Sequence, residues 1–272
     1  MINLPGNDKV RAYISVKDLM DEEVQNSHFI VLCTKKGVIK KTALEAFSRP
    51  RQNGINAVTI REDDQLLEAK LTTGESEIIM ATKQGRAIRF GEEAVRPMGR
   101  TAAGVRGVSL QGDNDEVVGM VCVKRGDVEN SILVVSSNGY GKRTLINDPE
   151  DGSPIYRITN RGGKGVITLN VTEKTGELIA IKDVNDNHDL MIINVSGITI
   201  RTGADEISVQ GRNTQGVKLI TLKDGDAIAS VAKVDVIEED EELDDENGEK
   251  STQEETDKSV SYTHLTLPTM RT

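Results

Sequence analysis

The sequence predicts an all-β protein built of four-stranded blades arranged as in a propeller. The first observation is an internal repeat, in which an apolar run, a glycine and a segment ending in cations recur four times. The second is that the apolar runs are short, rich in Val and Ile and bounded by Gly, Asn and Asp, as β-strands are. The third is the unit length of roughly 50 residues, which is the size of one propeller blade. The aligned segments are residues 28–42, 76–90, 130–144 and 188–202.

The first part of every unit predicts a β-hairpin. Asn138–Gly139 is a two-residue hairpin signal, because glycine accepts the positive φ that such a turn demands. The other units place Lys36–Gly37, Gln84–Gly85 and Ser196–Gly197 at the same point. The signatures of an ordinary WD40 propeller are missing from the sequence.

Each unit continues with a loop, a second glycine and two further apolar runs, which predict two more strands. The second glycines are Gly54, Gly104, Gly165 and Gly216. The predicted units lie near residues 28–75, 76–129, 130–187 and 188–235. Residues 9–16 align with the last run of the later units, so we expect residues 1–27 to end a preceding blade. Residues 1–235 would then form a truncated array of about four complete blades plus part of one.

The end of the chain differs in composition from the repeats. Residues 235–258 hold 13 acidic and 2 basic residues. A low-complexity acidic run cannot bury itself, so a disordered acidic tail is expected over residues 236–258. We expect this tail to compete with a bound polyanion for the basic surface of the repeats; the alternative is that the tail only aids solubility. Residues 259–272 fit nothing upstream and resemble translated sequencing-adapter read-through, so we exclude them from the fold.

Composition excludes several classes of protein. No apolar run is long enough for a membrane-spanning helix, and residues 1–20 lack the pattern of a signal peptide. The two cysteines, Cys33 and Cys122, sit inside apolar runs and are expected to be buried reduced thiols, which fits a cytoplasmic protein. The three histidines are scattered, without metal-ligand spacing, so neither a metal site nor a catalytic group is predicted.

The net charge of −10 hides a basic stripe. Residues 38–56, 86–106, 140–166 and 198–218 together hold 17 basic and 8 acidic residues. These segments recur at one place in each blade, so around a ring they would form a continuous cationic surface for a polyanion. Aromatic residues are scarce in them, which favours duplex phosphates over stacked single-stranded bases. The predicted DNA-binding residues are Lys40, Lys41, Arg49, Arg51, Arg86, Arg89, Arg96, Arg100, Arg106, Lys142, Arg143, Arg157, Arg161, Lys164, Arg201, Arg212 and Lys218.

Stretches from all four units of the sequence resemble the C-terminal, DNA-wrapping domain of the DNA gyrase A protein. They are TKKGVIKKTALEAFSRPRQNGINAV (34–58), GRAIRFGEEAVRPMGRTAAGVRG (85–107), NGYGKRT (138–144) with NRGGKGVI (160–167), and EISVQGRNTQGVKLI (206–220). The resemblance covers residues 1 to about 235. It implies a β-pinwheel, a propeller relative of six blades that exchange strands, with duplex DNA wrapped around the outer rim so that the holoenzyme introduces negative supercoils.

The resemblance also implies the partners of this chain. They are duplex DNA, the catalytic N-terminal region of the same gyrase A protein, and the gyrase B protein in an A2B2 holoenzyme. ATP and Mg²⁺ would bind elsewhere in that holoenzyme, and no cofactor is expected in this chain. The family's signature box, of the form QRRGGKG, belongs to its first blade. The similar NRGGKG at residues 160–165 lies in the third unit, so the function of the box is not carried over to it.

Two other functions are compatible with the sequence. The chain could be the C-terminal domain of the corresponding topoisomerase IV protein, or a propeller scaffold for protein interactions that does not bind DNA.

The stretch NRGGKG lacks the Gly-Lys-Ser/Thr end of a nucleotide-binding P-loop, and a strand follows it instead of a helix. Tyr156 stands beside Arg157, as the nucleophile of type II topoisomerases stands beside an arginine, but it lies in a blade loop without an acidic metal cluster.

Overall fold

The computed structural model describes residues 9–16, 18–51 and 54–235 and is an all-β structure. Its secondary structure begins with one helix, α1 (Glu22–Ser27), capped by the Asp21 side chain. The predicted acidic tail (236–258) and the read-through segment (259–272) lie outside the described residues. The strands are β1 (Phe29–Thr34), β2 (Val38–Ala43), β3 (Leu66–Thr72), β4 (Glu77–Thr82), β5 (Arg86–Gly91), β6 (Val105–Arg106), β7 (Val117–Val123), β8 (Ser131–Ser136), β9 (Tyr140–Leu145), β10 (Val166–Ile167), β11 (Leu178–Val184), β12 (His188–Asn194), β13 (Thr199–Gly203), β14 (Val217–Lys218) and β15 (Ile228–Asp235).

The strands form four antiparallel sheets, which are the blades. Blade one has the order β3-β1-β2-β6, and blade two has the order β7-β4-β5-β10. Blade three is β11-β8-β9-β14, and blade four is the three-stranded sheet β15-β12-β13. The innermost strands β3, β7, β11 and β15 contact one another in succession, so the opposite edge of each sheet forms the outer rim.

The outermost strand of blades one, two and three comes from the following unit of the sequence. Val38 of β2 pairs with Arg106 of β6, and Gly141 of β9 pairs with Val217 of β14. Between them, Ala87 of β5 pairs with Val166 of β10. Neighbouring blades therefore exchange strands, as the resemblance to the pinwheel implies.

Three predicted strands differ from the structure. Residues 55–60 align with the donated strand β6, but they form no strand, because the described residues contain no blade before blade one to receive them. Residues 9–16 also form no strand. Blade four has three strands instead of four, since no later unit among the described residues donates an outer strand to β13.

The apolar core lies between the blades. One cluster joins blades one and two, a second joins blades two and three, and a third joins blades three and four. Both faces of a middle sheet are thus covered, and every residue of β4 and of β8 is buried. This two-sided burial explains why the strands are nearly continuous apolar runs instead of alternating polar and apolar residues.

The turn glycines allow the donated segments to approach the hairpins closely. Gly85 has a φ of +74°, and a Cβ there would lie 2.4 Å from the carbonyl oxygen of Leu169 in the next unit. The Gly85 carbonyl accepts a hydrogen bond from the Thr168 amide at 2.8 Å. Positive φ at all four predicted turn glycines confirms the hairpin turns.

Candidate nucleic-acid interface

The outer rim of the blade array is built by three loops that carry the donated strands. Before each loop, a segment of the next unit runs beside the second strand of the hairpin. The parallel bridges at this point are Lys41–Pro97, Arg89–Ile158 and Arg143–Val209. It ends at the second glycine, and β6, β10 or β14 follows. We name residues 99–104, 160–165 and 211–216 the first, second and third rim loops.

A left-handed glycine closes every rim loop against the blade that it joins. At Gly165, φ is +69° and a Cβ would lie 2.3 Å from the carbonyl oxygen of Ala87. At Gly216, φ is +77° and a Cβ would lie 2.5 Å from the carbonyl oxygen of Gly141. A side chain at either position would collide with the receiving strand, so these glycines hold the rim loops close to the sheet edge.

The structure separates the 17 predicted DNA-binding cations into three groups. Eight are exposed: Arg49, Arg51, Arg96, Arg106, Arg157, Lys164, Arg201 and Lys218. Four are half-buried: Arg86, Arg100, Arg161 and Arg212. Five are buried: Lys40, Lys41, Arg89, Lys142 and Arg143.

The prediction that these five buried cations lie on a DNA-binding surface is wrong. All five belong to β2, β5 or β9, the strands of each blade that lie beneath the next unit. The basic segments also contain the buried Glu92. Without the five buried cations and Glu92, the four basic segments have 12 basic and 7 acidic residues. The surface of these segments therefore has a net charge of +5, whereas the segments as a whole have +9.

Three of the buried cations join one blade to the next. Lys41 Nζ lies 3.6 Å from a carboxylate oxygen of Glu92 and donates to the Glu92 carbonyl at 3.2 Å. Arg143 Nε donates to the carbonyl of Ile207 at 2.9 Å, and its Nη1 pairs with Asp186. The equivalent Arg201 in blade four is exposed and pairs with Asp189 of its own blade at 2.5 Å.

Arg89 has the most extensive of these connections. Its Nε donates to the Glu77 carboxylate at 2.9 Å within blade two. Its Nη1 reaches the next unit, where it donates to Asn147 Oδ1 at 2.9 Å and to the carbonyls of Ile146 and Tyr156, each at 3.0 Å. Burial of the charge is therefore balanced by a buried carboxylate and by three further acceptors.

Lys40 and Lys142 have no carboxylate partner among the described residues and donate to backbone carbonyls instead, which are those of the rim loops and, for Lys40, also that of Ala57. Lys142 Nζ donates to the carbonyls of Gly211 at 2.5 Å and Arg212 at 2.6 Å. Desolvation, with the nearby Arg212 charge, lowers the pKa of Lys142 to about 8. Lys40 Nζ donates to the carbonyls of Ala57, at 2.6 Å, and Arg100, and desolvation lowers its pKa too.

The second rim loop contains the glycine-rich stretch NRGGKG. Arg161 donates from Nε to the Ala94 carbonyl at 2.9 Å and from Nη1 to the Arg106 carbonyl at 3.0 Å. The Gly162 amide donates to the Gly107 carbonyl at 2.6 Å. Lys164 is exposed and makes no hydrogen bond to a described residue. This stretch therefore ties the second and third units together and presents one lysine outward.

Tyr156 supports the rim and is not available as a nucleophile. Its side chain is fully buried, and its hydroxyl lies 2.6 Å from Thr168 Oγ1. Burial raises the pKa of its hydroxyl. The guanidinium of Arg212 lies over its ring, 6.0 Å from the centroid, so Tyr156 is a platform for a rim cation. The sequence does not predict this role, and its only sign there is an isolated tyrosine in a segment that is poor in aromatic residues.

Other kinds of site find little support in the part of the chain that the structure describes. No group of three His, Cys, Asp or Glu side chains there could hold a metal ion. Both cysteines have a raised pKa through burial, that of Cys122 to about 12, so neither is a reactive thiolate. Among the described helices, none is long and apolar enough to cross a membrane.

Known proteins resemble this chain in sequence. The family described as "DNA gyrase C-terminal domain, beta-propeller" matches residues 28–73, 76–124, 130–148, 156–185 and 188–235. The DNA gyrase A protein of Staphylococcus aureus strain NCTC 8325 / PS 47 is 42% identical over 254 residues, which are 93% of this chain and 27% of that protein. The same protein from strain MRSA252 is 43% identical over 246 residues, 90% of this chain and 26% of its own. The chain thus spans about a quarter of the length of the curated relatives that it matches.

Solved structures share the fold. A DNA gyrase A C-terminal domain superimposes with a TM-score of 0.70 at 25% identity, over 85% of this chain and 72% of its own. The C-terminal domain of a DNA topoisomerase IV gives a TM-score of 0.71 at 22% identity, over 82% of this chain and 65% of its own, and at that identity it shows the fold alone. Taken with the matched repeats and the strand exchange, these likenesses show that the chain belongs to the DNA gyrase C-terminal domain family of β-propellers.

Proposed function

We propose that this chain binds duplex DNA along its outer rim and bends it around the blade array. It would serve as the wrapping module of a type IIA topoisomerase that introduces negative supercoils with ATP. The observation that carries the proposal is the recurrence of a solvent-accessible cation in all three rim loops: Lys164 is exposed, and Arg100 and Arg212 are half-buried. These side chains make no hydrogen bond or ion pair with a described residue, so they are available to phosphates.

The form of the rim supports recognition of the DNA backbone over recognition of base sequence. The only α-helix among the described residues is α1, which has six residues and carries none of the rim cations. Loop arginines and lysines neutralise phosphates, and sequence then matters through the bendability of the duplex. We therefore expect weak sequence preference.

A salt titration tests the proposal. Neutralising Z phosphates gives a log–log salt slope of about −0.9Z. One to two phosphate contacts per rim loop, with three rim loops, predict a slope of about −3 to −5. The measurement is the affinity of the full chain for a mixed-sequence duplex between low and moderate salt. A slope near zero would contradict the proposal and favour a propeller scaffold for protein interactions.

The place of the module in a larger enzyme is also a proposal. The 42% identity to the gyrase A protein favours an A2B2 holoenzyme with the gyrase B protein over topoisomerase IV. ATP and Mg²⁺ would act in other parts of that holoenzyme. Supercoiling of relaxed plasmid by a gyrase carrying this module, compared with the same enzyme without it, tests this place: negative supercoiling should depend on the module, and equal supercoiling without it would contradict the proposal.

A further inference from the structure

Each rim loop combines two cations that are used in different ways. One cation of each pair donates hydrogen bonds to backbone carbonyls at the rim, and the other makes no hydrogen bond to a described residue. The bound cations are Lys40, Arg161 and Lys142. The other members of the pairs are Arg100, Lys164 and Arg212.

In blades one and three the bound cation comes from beneath the loop. Lys40 stands on β2 and binds the carbonyl of Arg100, and Lys142 stands on β9 and binds the carbonyl of Arg212. Each lysine thus holds the peptide unit of the arginine with which it is paired. The position of that arginine relative to the blade edge depends on the lysine.

Blade two reaches the same arrangement with different residues. The position equivalent to Lys40 and Lys142 is Ile88, a buried apolar residue that lies beneath Gly163. No ammonium can hold the second rim loop from below. In this loop Arg161 donates hydrogen bonds to backbone carbonyls, and Lys164 is the cation that makes no hydrogen bond to a described residue. The second rim loop therefore has two cations, as the first and third rim loops do.

The charge of these pairs is not balanced within the described residues. Lys142 and Arg212 are neighbouring like charges, and neither lies within salt-bridge distance of a described carboxylate. The cross-strand neighbour of Lys142 on β8 is Val134, and the titratable group beyond Arg212 is Tyr156, which burial keeps neutral. An anion above the loop would relieve the repulsion between the two cations.

We propose that each rim loop is a two-cation site for one phosphodiester of the duplex. Arg100, Lys164 and Arg212 contact the phosphate, and Lys40, Arg161 and Lys142 are positioning residues that fix the loop beneath it. The inference deepens the proposed function and rests on it. It assigns one strong phosphate contact to each blade boundary and gives a buried lysine a role in DNA affinity.

The proposal predicts that DNA affinity depends on the protonation of Lys142. A phosphate nearby would favour the charged ammonium, so the bound state keeps a proton that the free protein loses near pH 8. At pH 9 about nine in ten free molecules would have lost this proton, and binding would be weaker than at pH 7 by up to about tenfold. Lys142→Met removes this pH dependence together with the charge.

The test measures fluorescence anisotropy of a labelled mixed-sequence duplex with the full chain at several salt concentrations, at pH 7 and pH 9. Arg100→Met, Lys164→Met and Arg212→Met should each lower the magnitude of the salt slope by about 1. Lys142→Met should weaken binding at pH 7 and should lose less affinity between pH 7 and pH 9 than the unaltered chain does. The matched control is Lys223→Met, which removes an exposed lysine that belongs to none of the three rim loops and should change neither quantity.

The outcomes separate the inference from the proposed function. If the unaltered chain shows no salt-dependent binding, the proposed function itself fails. If the chain binds with the expected slope but Lys223→Met lowers it as much as Arg212→Met does, the rim-loop sites are wrong. Unchanged pH dependence in Lys142→Met refutes the positioning role. Should that variant not fold, the outward variants Arg100→Met and Lys164→Met still decide whether the loops are phosphate sites.

Discussion

Replacing Arg89 by methionine separates the two roles that a recurring cation can have in this fold. The sequence predicts a DNA contact, whereas the structure buries the guanidinium between blades two and three. Methionine keeps much of the aliphatic volume but removes every donor. Glu77 would then be a buried carboxylate without its partner, and Asn147 and two carbonyls would lose their donor.

The expected loss is large because one half of a buried ion pair remains behind. Removing one partner of such a pair costs about 3–5 kcal/mol, mainly through the charge that is left uncompensated. The double variant Glu77→Gln with Arg89→Met removes this charge as well, so we expect it to recover at least about 1 kcal/mol of the loss. The measurement is the free energy of unfolding from urea titration followed by circular dichroism.

Arg96→Met is the matched control, since Arg96 is exposed and makes no ion pair with a described residue. Its unfolding free energy should stay within about 0.5 kcal/mol of the unaltered chain. The reasoning is refuted if Arg89→Met unfolds like the unaltered chain and instead loses DNA affinity. That result would mean that Arg89 acts at the surface, as the sequence predicts.

Three further predictions concern the rim, the tail and pH. Gly165→Ala should destabilise the chain by at least about 1 kcal/mol in urea titration, because its φ of +69° and a Cβ 2.3 Å from the Ala87 carbonyl oxygen both oppose a side chain; Gly54→Ala, with no atom within 4 Å, should cost less. Deleting residues 236–272 should tighten DNA binding at low salt, with a gain that shrinks as salt rises; equal affinity would mean that the tail is passive. Lys142 loses its proton near pH 8 in the folded chain and near its ordinary pKa of 10.5 when unfolded. The unfolded chain therefore holds more protons between these values, so stability should rise with pH there, and Lys142→Met should show a smaller rise in urea midpoints.

The sequence predicts the fold well because the same pattern of apolar runs and glycines occurs four times. Four aligned glycines mark the hairpin turns, and all have the positive φ that the turn requires. The inner strands were also predictable, since they contain apolar runs such as LIAI at residues 178–181. The donated strands were less visible, because β6, β10 and β14 have two residues each and their partners lie in another unit.

The failures at residues 55–60 and at blade four have one physical cause. A strand exists only with a partner to share its hydrogen bonds, and strand exchange places that partner in a different repeat. Local sequence therefore cannot decide whether GINAVTI at residues 54–60 is a strand, although it aligns with GVRGVSL at residues 104–110. The difference lies in whether a neighbouring blade is there to receive it.

The candidate site was predicted correctly in its loops and incorrectly in its strands. In most sheets with one solvated face, adjacent residues such as Lys40 and Lys41 would point to opposite sides, and one of them would be exposed. In a blade array both faces of a sheet are covered by neighbouring blades, so both lysines are buried.

Arg201 is a case within the same chain in which this cover is missing. It occupies the position equivalent to Lys41, Arg89 and Arg143, but no blade covers β13 among the described residues, and its side chain is 61% exposed. A cation on a middle strand therefore indicates a connection between blades, and a cation in a rim loop indicates an available charge. The recurrence of a cation in every unit does not distinguish these two roles. The position of the cation, on a middle strand or in a rim loop, does.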